Sequence, residues 1–271
     1  MRRYASLLLV LVFLSGCVSA QIKPPPNTSG KARKIVLVPM EAPPLEVFIP
    51  SFANALPYNV SATMTWVPDQ AIHTAGKVGV MICGIFMLLD MPESAKRSAK
   101  IAESLDNVLG SGEAWIPTVV LSEEAVGQIA TKGTDTLTLE RKFRNYPGIT
   151  NRERTFFGEN WMAPMRDWYN REQSPFDYGA YASQGADAIL EVGLLNYSLY
   201  RDSLIVQVML KLVDPASGKV LGRARSYDLA KLSRTDNLFE DDGKRFKELF
   251  AETARKPMNE NLRYLGLLAG N

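Results

Sequence analysis

Histidine is almost missing from this chain: one residue, His73, in 271. A Ser-His-Asp or Cys-His site would have to use it. It stands in DQAIHTAGK, and no G-x-S-x-G elbow occurs anywhere. His73 therefore reads as a surface or structural residue. Cysteine is nearly as scarce, with only Cys17 and Cys83. One histidine and so few thiols exclude an N/S metal cluster. There is no P-loop and no Rossmann glycine pattern; Gly110-Ser111-Gly112 lacks the partner lysine or third glycine. Excess charge is missing too, at a formal +2. General nucleic-acid binding needs a basic surface, so it is excluded. Internal repeats and long low-complexity tracts are absent. The apolar run VGVMICGIFMLL, residues 78–89, holds two glycines and is too short for a bilayer. It reads as a buried strand pair or core helix. Cys83 within it reads as a small buried hydrophobe, with a reactive or intermolecularly bridged thiol as the alternative.

What the chain does have begins at its N-terminus. Arg2 and Arg3 form a positive head, LLLVLVFL follows Ser6, and Ser15-Gly16 are small. Eight apolar residues reach only about 12 Å as a helix, against a hydrocarbon core of about 30 Å. Residues 1–16 therefore read as a cleaved signal peptide. Without its two arginines, twenty-nine basic face twenty-nine acidic residues. With 46% hydrophobic and 22% charged residues, the remainder can build a full core.

Leu14-Ser15-Gly16-Cys17 resembles the lipobox of bacterial lipoproteins. The resemblance implies cleavage before Cys17, a diacylglycerol thioether on its sulfur, and a palmitate-type acyl chain on the new amine. Val18 follows where that class carries Asp for inner-membrane retention. Its presence implies the outer membrane, with the chain facing the periplasm.

Residues 17–34 read as a flexible lipidated tether, because Pro24-Pro25-Pro26 favours polyproline II and the segment is basic without an acid. Residues 35–271 are expected to form a single periplasmic domain. Its class is α/β (α+β): one mixed sheet with a C-terminal antiparallel three-strand meander and helices packed on it. Ile35–Val38 reads as a buried strand ended by Pro39, and residues 60–67 as β-prone. Ala95, Ala99, Ala102, Leu105 and Leu109 recur at helical steps over 93–109. Residues 115–121 read as a strand and Ser122 as the N-cap of a helix to about residue 132. Residues 134–175 read as an irregular insertion. Within it Thr136–Glu140 alternates like a strand, and Trp161, Met165 and Trp168 form a helical stripe. Residues 177–185 read as a helix. The meander follows, with Leu204, Val206, Val208, Leu210 and Leu212 on one face and a turn at Asp214–Gly218. A last helix after Gly243 carries Phe246, Leu249, Phe250 and Thr253 on one side.

Residues 34–41, KIVLVPME, are similar to the first strand of the curli-secretion-channel and penicillin-binding-protein-activator lipoproteins. Residues 185–226, GADAILEVGLLNYSLY to SGKVLGRARS, resemble their helix–strand–strand–turn–strand core. The resemblance implies a sheet with helices packed on it. Its motifs are structural, so no binding residue is carried across.

One segment stands out for composition. Residues 156–181 hold Phe156, Phe157, Trp161, Trp168, Tyr169, Phe176, Tyr178 and Tyr181, and Arg152, Arg154, Arg166 and Arg171 lie in or beside it. Such a mixture is what a core helix and its packing loop carry. It is also what a contact with a partner, glycan or membrane carries, with Phe157, Trp161, Trp168, Tyr169 and Tyr178 as the contact residues. The remaining chemical candidates are Glu240, Asp241 and Asp242, since a glycosidase needs only two carboxylates. Capping and solvation of the following helix is the first reading of these acids. The leading expectation is thus a non-catalytic interaction or assembly cofactor of a cell-envelope machine, held to the membrane through Cys17, without cofactor, metal or nucleic acid. An oligomeric secretion component and a glycan-acting enzyme are the alternatives.

Overall fold

The computed structural model describes residues 21–25, 32–48, 100–110, 114–130, 136–152, 159–200, 203–232 and 238–268. All of them belong to one compact unit. Residues 1–20, with the signal and Cys17, lie outside the described residues, as do residues 60–67, His73, Cys83, residues 78–89 and Phe157. The single-domain expectation over 35–271 also runs through this undescribed part.

Six strands form one mixed sheet. They are β1 (Lys34–Pro39), β2 (Glu46–Phe48), β3 (Thr136–Leu139), β4 (Ala188–Tyr200), β5 (Ser203–Val213) and β6 (Val220–Lys231). The order is β3-β1-β4-β5-β6, and β2 pairs with the far end of β4. β1 is parallel to both β3 and β4, whereas β4, β5 and β6 are the antiparallel meander. The α+β class with a C-terminal meander is thus the one found.

The meander turn follows from its residues. Asp214 Oδ1 accepts hydrogen bonds from the amides of Ala216 and Ser217 at 2.8 and 2.9 Å. Gly218 supplies the positive φ of +70°. In β5 the even positions from Leu204 to Leu212 face the helices and join the larger apolar core. In β4 the register shifts between Leu194 and Asn196. The shift changes parity, so Leu190, Val192 and Leu194 are followed into the same core by Tyr197.

Helices α1 (residues 100–109), α2 (Pro117–Ala130) and α5 (Lys244–Tyr264) contribute to that core. In α1, Ala102 and Leu109 are buried, as the helical spacing expects. In α5, Phe246, Leu249, Phe250 and Thr253 are buried, and the series continues through Ala254, Met258 and Leu262. Trp115 meets Phe250 edge-on, with ring centroids 5.3 Å apart. After α5 the tail folds back, with the Leu267 amide donating to the Leu262 carbonyl at 2.9 Å and Leu265 and Leu267 buried.

Two local expectations are corrected. Residues 117–121 are not a strand but the first turns of α2. Pro117 fits the first helical position, where its missing N–H costs nothing. The β-branched run Thr118-Val119-Val120 is carried because Thr118 Oγ1 donates to the Met40 carbonyl at 2.5 Å. Ser122 is no N-cap: it lies inside the helix and donates to the Thr118 carbonyl at 2.8 Å. Secondly, residues 21–25 do not hang free. Ile22 and Arg223 exchange both backbone hydrogen bonds, at 2.9 and 2.8 Å, on the outer edge of β6.

The other face of the sheet carries α3 (Glu159–Asn170) and the short α4 (Gly179–Ser183). Residues 134–175 are therefore partly regular: they supply β3 and α3.

Before α5 the backbone turns left-handed at Asp241, Asp242 and Gly243, with φ of 50°, 55° and 69°. A Cβ at Gly243 would stand 2.4 Å from Leu109 Cδ2. Gly243→Ala therefore meets both the left-handed penalty and an overpacked contact, and should cost about 2 kcal/mol or more. Urea unfolding of the variant beside the parent measures this.

Candidate functional site

The stripe Trp161, Met165 and Trp168 on α3 points inward, with exposures of 5%, 1% and 0%. Tyr169 and Tyr178 are also buried. Four of the five residues considered for partner contact are thus core residues, and burial withdraws them from any surface. The fifth, Phe157, lies outside the described residues.

The sheet makes room for this aromatic layer at Gly193. A Cβ there would come 2.9 Å from both Trp168 Cη2 and the Tyr146 hydroxyl. Tyr146 and Trp168 meet edge-on at 5.2 Å. Beneath the rings lies a carboxylate, Glu191 on β4, directly opposite Lys211 on β5. Neither side chain is exposed, and Lys211 Nζ stands 3.4 Å from Glu191 Oε2.

Glu191 gathers the layer. Trp168 Nε1 donates to its Oε2 at 2.8 Å, and the Tyr178 hydroxyl to its Oε1 at 2.9 Å. Ser174 Oγ also donates to Oε1. Lys211 Nζ donates to the Trp168 carbonyl at 2.8 Å and lies 4.8 Å from the centre of that ring. One strand further, the Arg223 guanidinium donates to the carbonyls of Tyr169 and Asn170 at 3.2 and 2.5 Å. Two cations thus cover the C-terminal carbonyls of α3, where the helix dipole favours positive charge.

Burial pulls the Lys211 ammonium below its ordinary pKa, against the attraction of Glu191. Burial and then the Glu191 charge push the Tyr178 phenol far upward. Tyr146 rises for the same reasons, with Glu41 adding to them. Tyr169 is pushed up to about 12 by burial, with Arg225 and Arg223 opposing.

Two further carboxylates lie just past the ends of β1 and β3. Glu41 holds Arg152 through two bonds, Nε to Oε1 at 2.5 Å and Nη2 to Oε2 at 3.2 Å. Glu140 accepts from Arg144 at 3.0 Å and from the Tyr181 hydroxyl. Glu41, Glu140 and Glu191 are each engaged by named donors. That geometry fastens the α3–α4 layer to the sheet. By contrast, Glu240, Asp241 and Asp242 are all exposed on the turn before α5. Among the described residues, no group of three or more His, Cys, Asp or Glu is placed to hold a metal. No described helix is long and apolar enough to cross a membrane.

Glu191, Lys211, Glu41, Tyr146 and Arg223 do not stand out as site residues in the sequence alone. The signal for the first two was present. Each is the lone charge in an otherwise apolar stretch, AILEVGLL and VMLKLV, on strands that the sequence pairs as a meander.

No protein-family model and no curated protein sequence matches the chain. Among solved structures it is similar to a PelC dodecamer from Paraburkholderia phytofirmans. That match has 10% identity and a TM-score of 0.37, over 93% of this chain and 97% of that one. A Xanthomonas campestris protein described as DUF330 gives 9% identity and a TM-score of 0.37, over 90% and 91%. Lipoprotein GNA1162 from Neisseria meningitidis gives 13% and 0.24, over 83% and 95%. Likenesses this distant transfer no function.

Removing one member of a buried pair strands the other. Glu191→Gln and Lys211→Met should each cost about 3–5 kcal/mol, and the double variant less than their sum by about 2 kcal/mol. A double-mutant cycle in urea measures the coupling. Tyr169 gives a pH signature. A folded pKa raised from 10.0 to about 12 means that the stability held by the neutral phenol is complete below pH 10. It is lost as pH rises to 12, by about 2–3 kcal/mol. The Tyr169 hydroxyl has no hydrogen-bond partner among the described residues. Tyr169→Phe should therefore match the parent at pH 8 within about 1 kcal/mol and exceed it at pH 11 by about the same amount, read by urea unfolding at both values.

Proposed function

We propose that this protein is an exported lipoprotein of the outer membrane, anchored through acylated Cys17. Its sheet domain serves as a non-catalytic interaction or assembly cofactor of a cell-envelope machine. The observation that carries the reading is the junction Leu14-Ser15-Gly16-Cys17, set behind a positive head and an apolar run too short to span a bilayer. Several buried acyl chains, at about 0.8 kcal/mol per CH₂, would hold the domain to a bilayer.

The internal chemistry supports a scaffold. The carboxylates beneath the aromatic layer are engaged within the fold. Glu191 is closed from solvent and shared by Trp168, Tyr178, Ser174 and Lys211. Glu41, itself nearly buried, is bidentate to Arg152. A general acid or base must reach a substrate proton, and the Glu191 carboxylate, fully buried and already engaged, favours a structural role instead. The exposed acids Glu240, Asp241 and Asp242 suit solvation of the turn. The partner in this reading is another envelope protein or a second copy of the chain.

The test is the anchor. Expressed with its signal in a Gram-negative host, the parent should fractionate with outer membranes and show an intact mass carrying the diacylglyceryl and acyl groups. Cys17→Ser should leave it unacylated and in the soluble or unprocessed fraction. An unmodified, soluble parent would refute the reading.

A further inference from the structure

Residues 17–34 were expected to be a free tether, which when extended would let the domain stand about 60 Å from its anchor. The sheet edge cancels most of that length. Ile22 is paired with Arg223, and Gln21 Nε2 donates to the Arg225 carbonyl at 2.8 Å. Pro24 seats on Gly222, where a Cβ would come 2.5 Å from its Cγ. Only four residue steps remain between Cys17 and Gln21, at most about 14 Å.

The pairing also fixes a direction. Ile22 is antiparallel to β6, so the chain approaches it from the side of Arg225 and of the residues beyond. Past Arg225, the same face of β6 presents Tyr227, Leu229 and Lys231 at every second position. Tyr227 is 54% exposed and Leu229 is 38% exposed, two of the four large apolar side chains exposed among the described residues. The opposite face of this stretch is engaged with α5, through Ser226 Oγ to the Pro257 carbonyl at 2.8 Å and Asp228 to Lys256 at 3.3 Å. The outward face thus offers an aromatic with a polar tip, an aliphatic side chain and a lysine, close to the place where the anchor is attached.

Building on the Cys17 anchor, we propose that the Tyr227–Leu229–Lys231 face of β6 rests on the phospholipid surface that holds the acyl chains. The Ile22 clamp serves as the device that sets this orientation. Tyrosine suits the head-group level, where its ring meets apolar chains and its hydroxyl meets water. Lysine complements anionic head groups. Short reach and an amphipathic face then act together. The anchor keeps β6 within a few residues of the bilayer. The opposite edge, β3, lies four strand spacings away, about 19 Å across the sheet.

The test uses the full acylated chain, in a Cys83→Ala background, reconstituted into phosphatidylethanolamine–phosphatidylglycerol vesicles doped with a brominated lipid. A fluorophore goes on through Leu229→Cys, and in a second preparation through Lys231→Cys. The control is Lys142→Cys, exposed just beyond β3. Both β6 labels should lose about half of their fluorescence, and the control almost none, if the face lies at the head-group boundary. Quenching at neither β6 site, or equal quenching at Lys142, overturns the orientation while leaving the anchor standing. An intact mass without acyl chains would end both the anchor and the orientation.

Discussion

Glu191 and Lys211 face each other across two paired strands with neither side chain reaching solvent. Most of the α3–α4 layer depends on that arrangement. An unpartnered charge there would be costly, so each group must be met on several sides. Trp168, Tyr178 and Ser174 meet the carboxylate, and the Trp168 carbonyl meets the ammonium. A one-residue slip of β4 would carry Glu191 into the apolar core on the α2–α5 side. The pair therefore fixes both strand register and the seat of the aromatic layer, even where its net contribution to stability is small.

The two faces of the sheet differ in kind. The side bearing α2 and α5 is closed by aliphatic and aromatic packing, from Leu190 and Leu210 to Phe246 and Phe250. The other side combines a small apolar cluster, Val36, Val38, Ile189 and Val213, with the polar layer at Glu191. Gly193 belongs to the second side, because only a residue without a Cβ leaves space for Trp168 and Tyr146. The shift after Leu194 keeps the first side continuous by bringing Tyr197 back into it.

The proposed function and the fold meet at the N-terminus. A lipid-anchored domain on a long free tether samples many orientations, whereas one clamped at Ile22 samples few. In the proposed function, the edge strand would convert a chemical anchor into a spatial one and leave the rest of the surface to a partner.

Much of the fold was legible because it is locally encoded. Asp214–Gly218 makes its turn from its own side chains and one glycine. The even positions of β5 and the helical stripes on α3 and α5 announce their buried faces by period alone. The proposed address rests wholly on residues 1–17, where charge, apolar length and a small-residue junction need no tertiary partner to be read. Other features needed the folded chain. Residues 117–121 carry strand-forming side chains, yet they enter a helix because Pro117 opens it and the Met40 carbonyl accepts from Thr118. The aromatic residues of α3 suit a core first and a surface second from sequence, and their burial around Glu191 decides for the core. The proline-rich segment after Cys17 reads as free until β6 offers it an edge. Period, turn chemistry and cleavage signals act between neighbours in the chain. Charge pairing, edge docking and the choice of covered face act between residues that only folding brings together, and tertiary structure alone decided those.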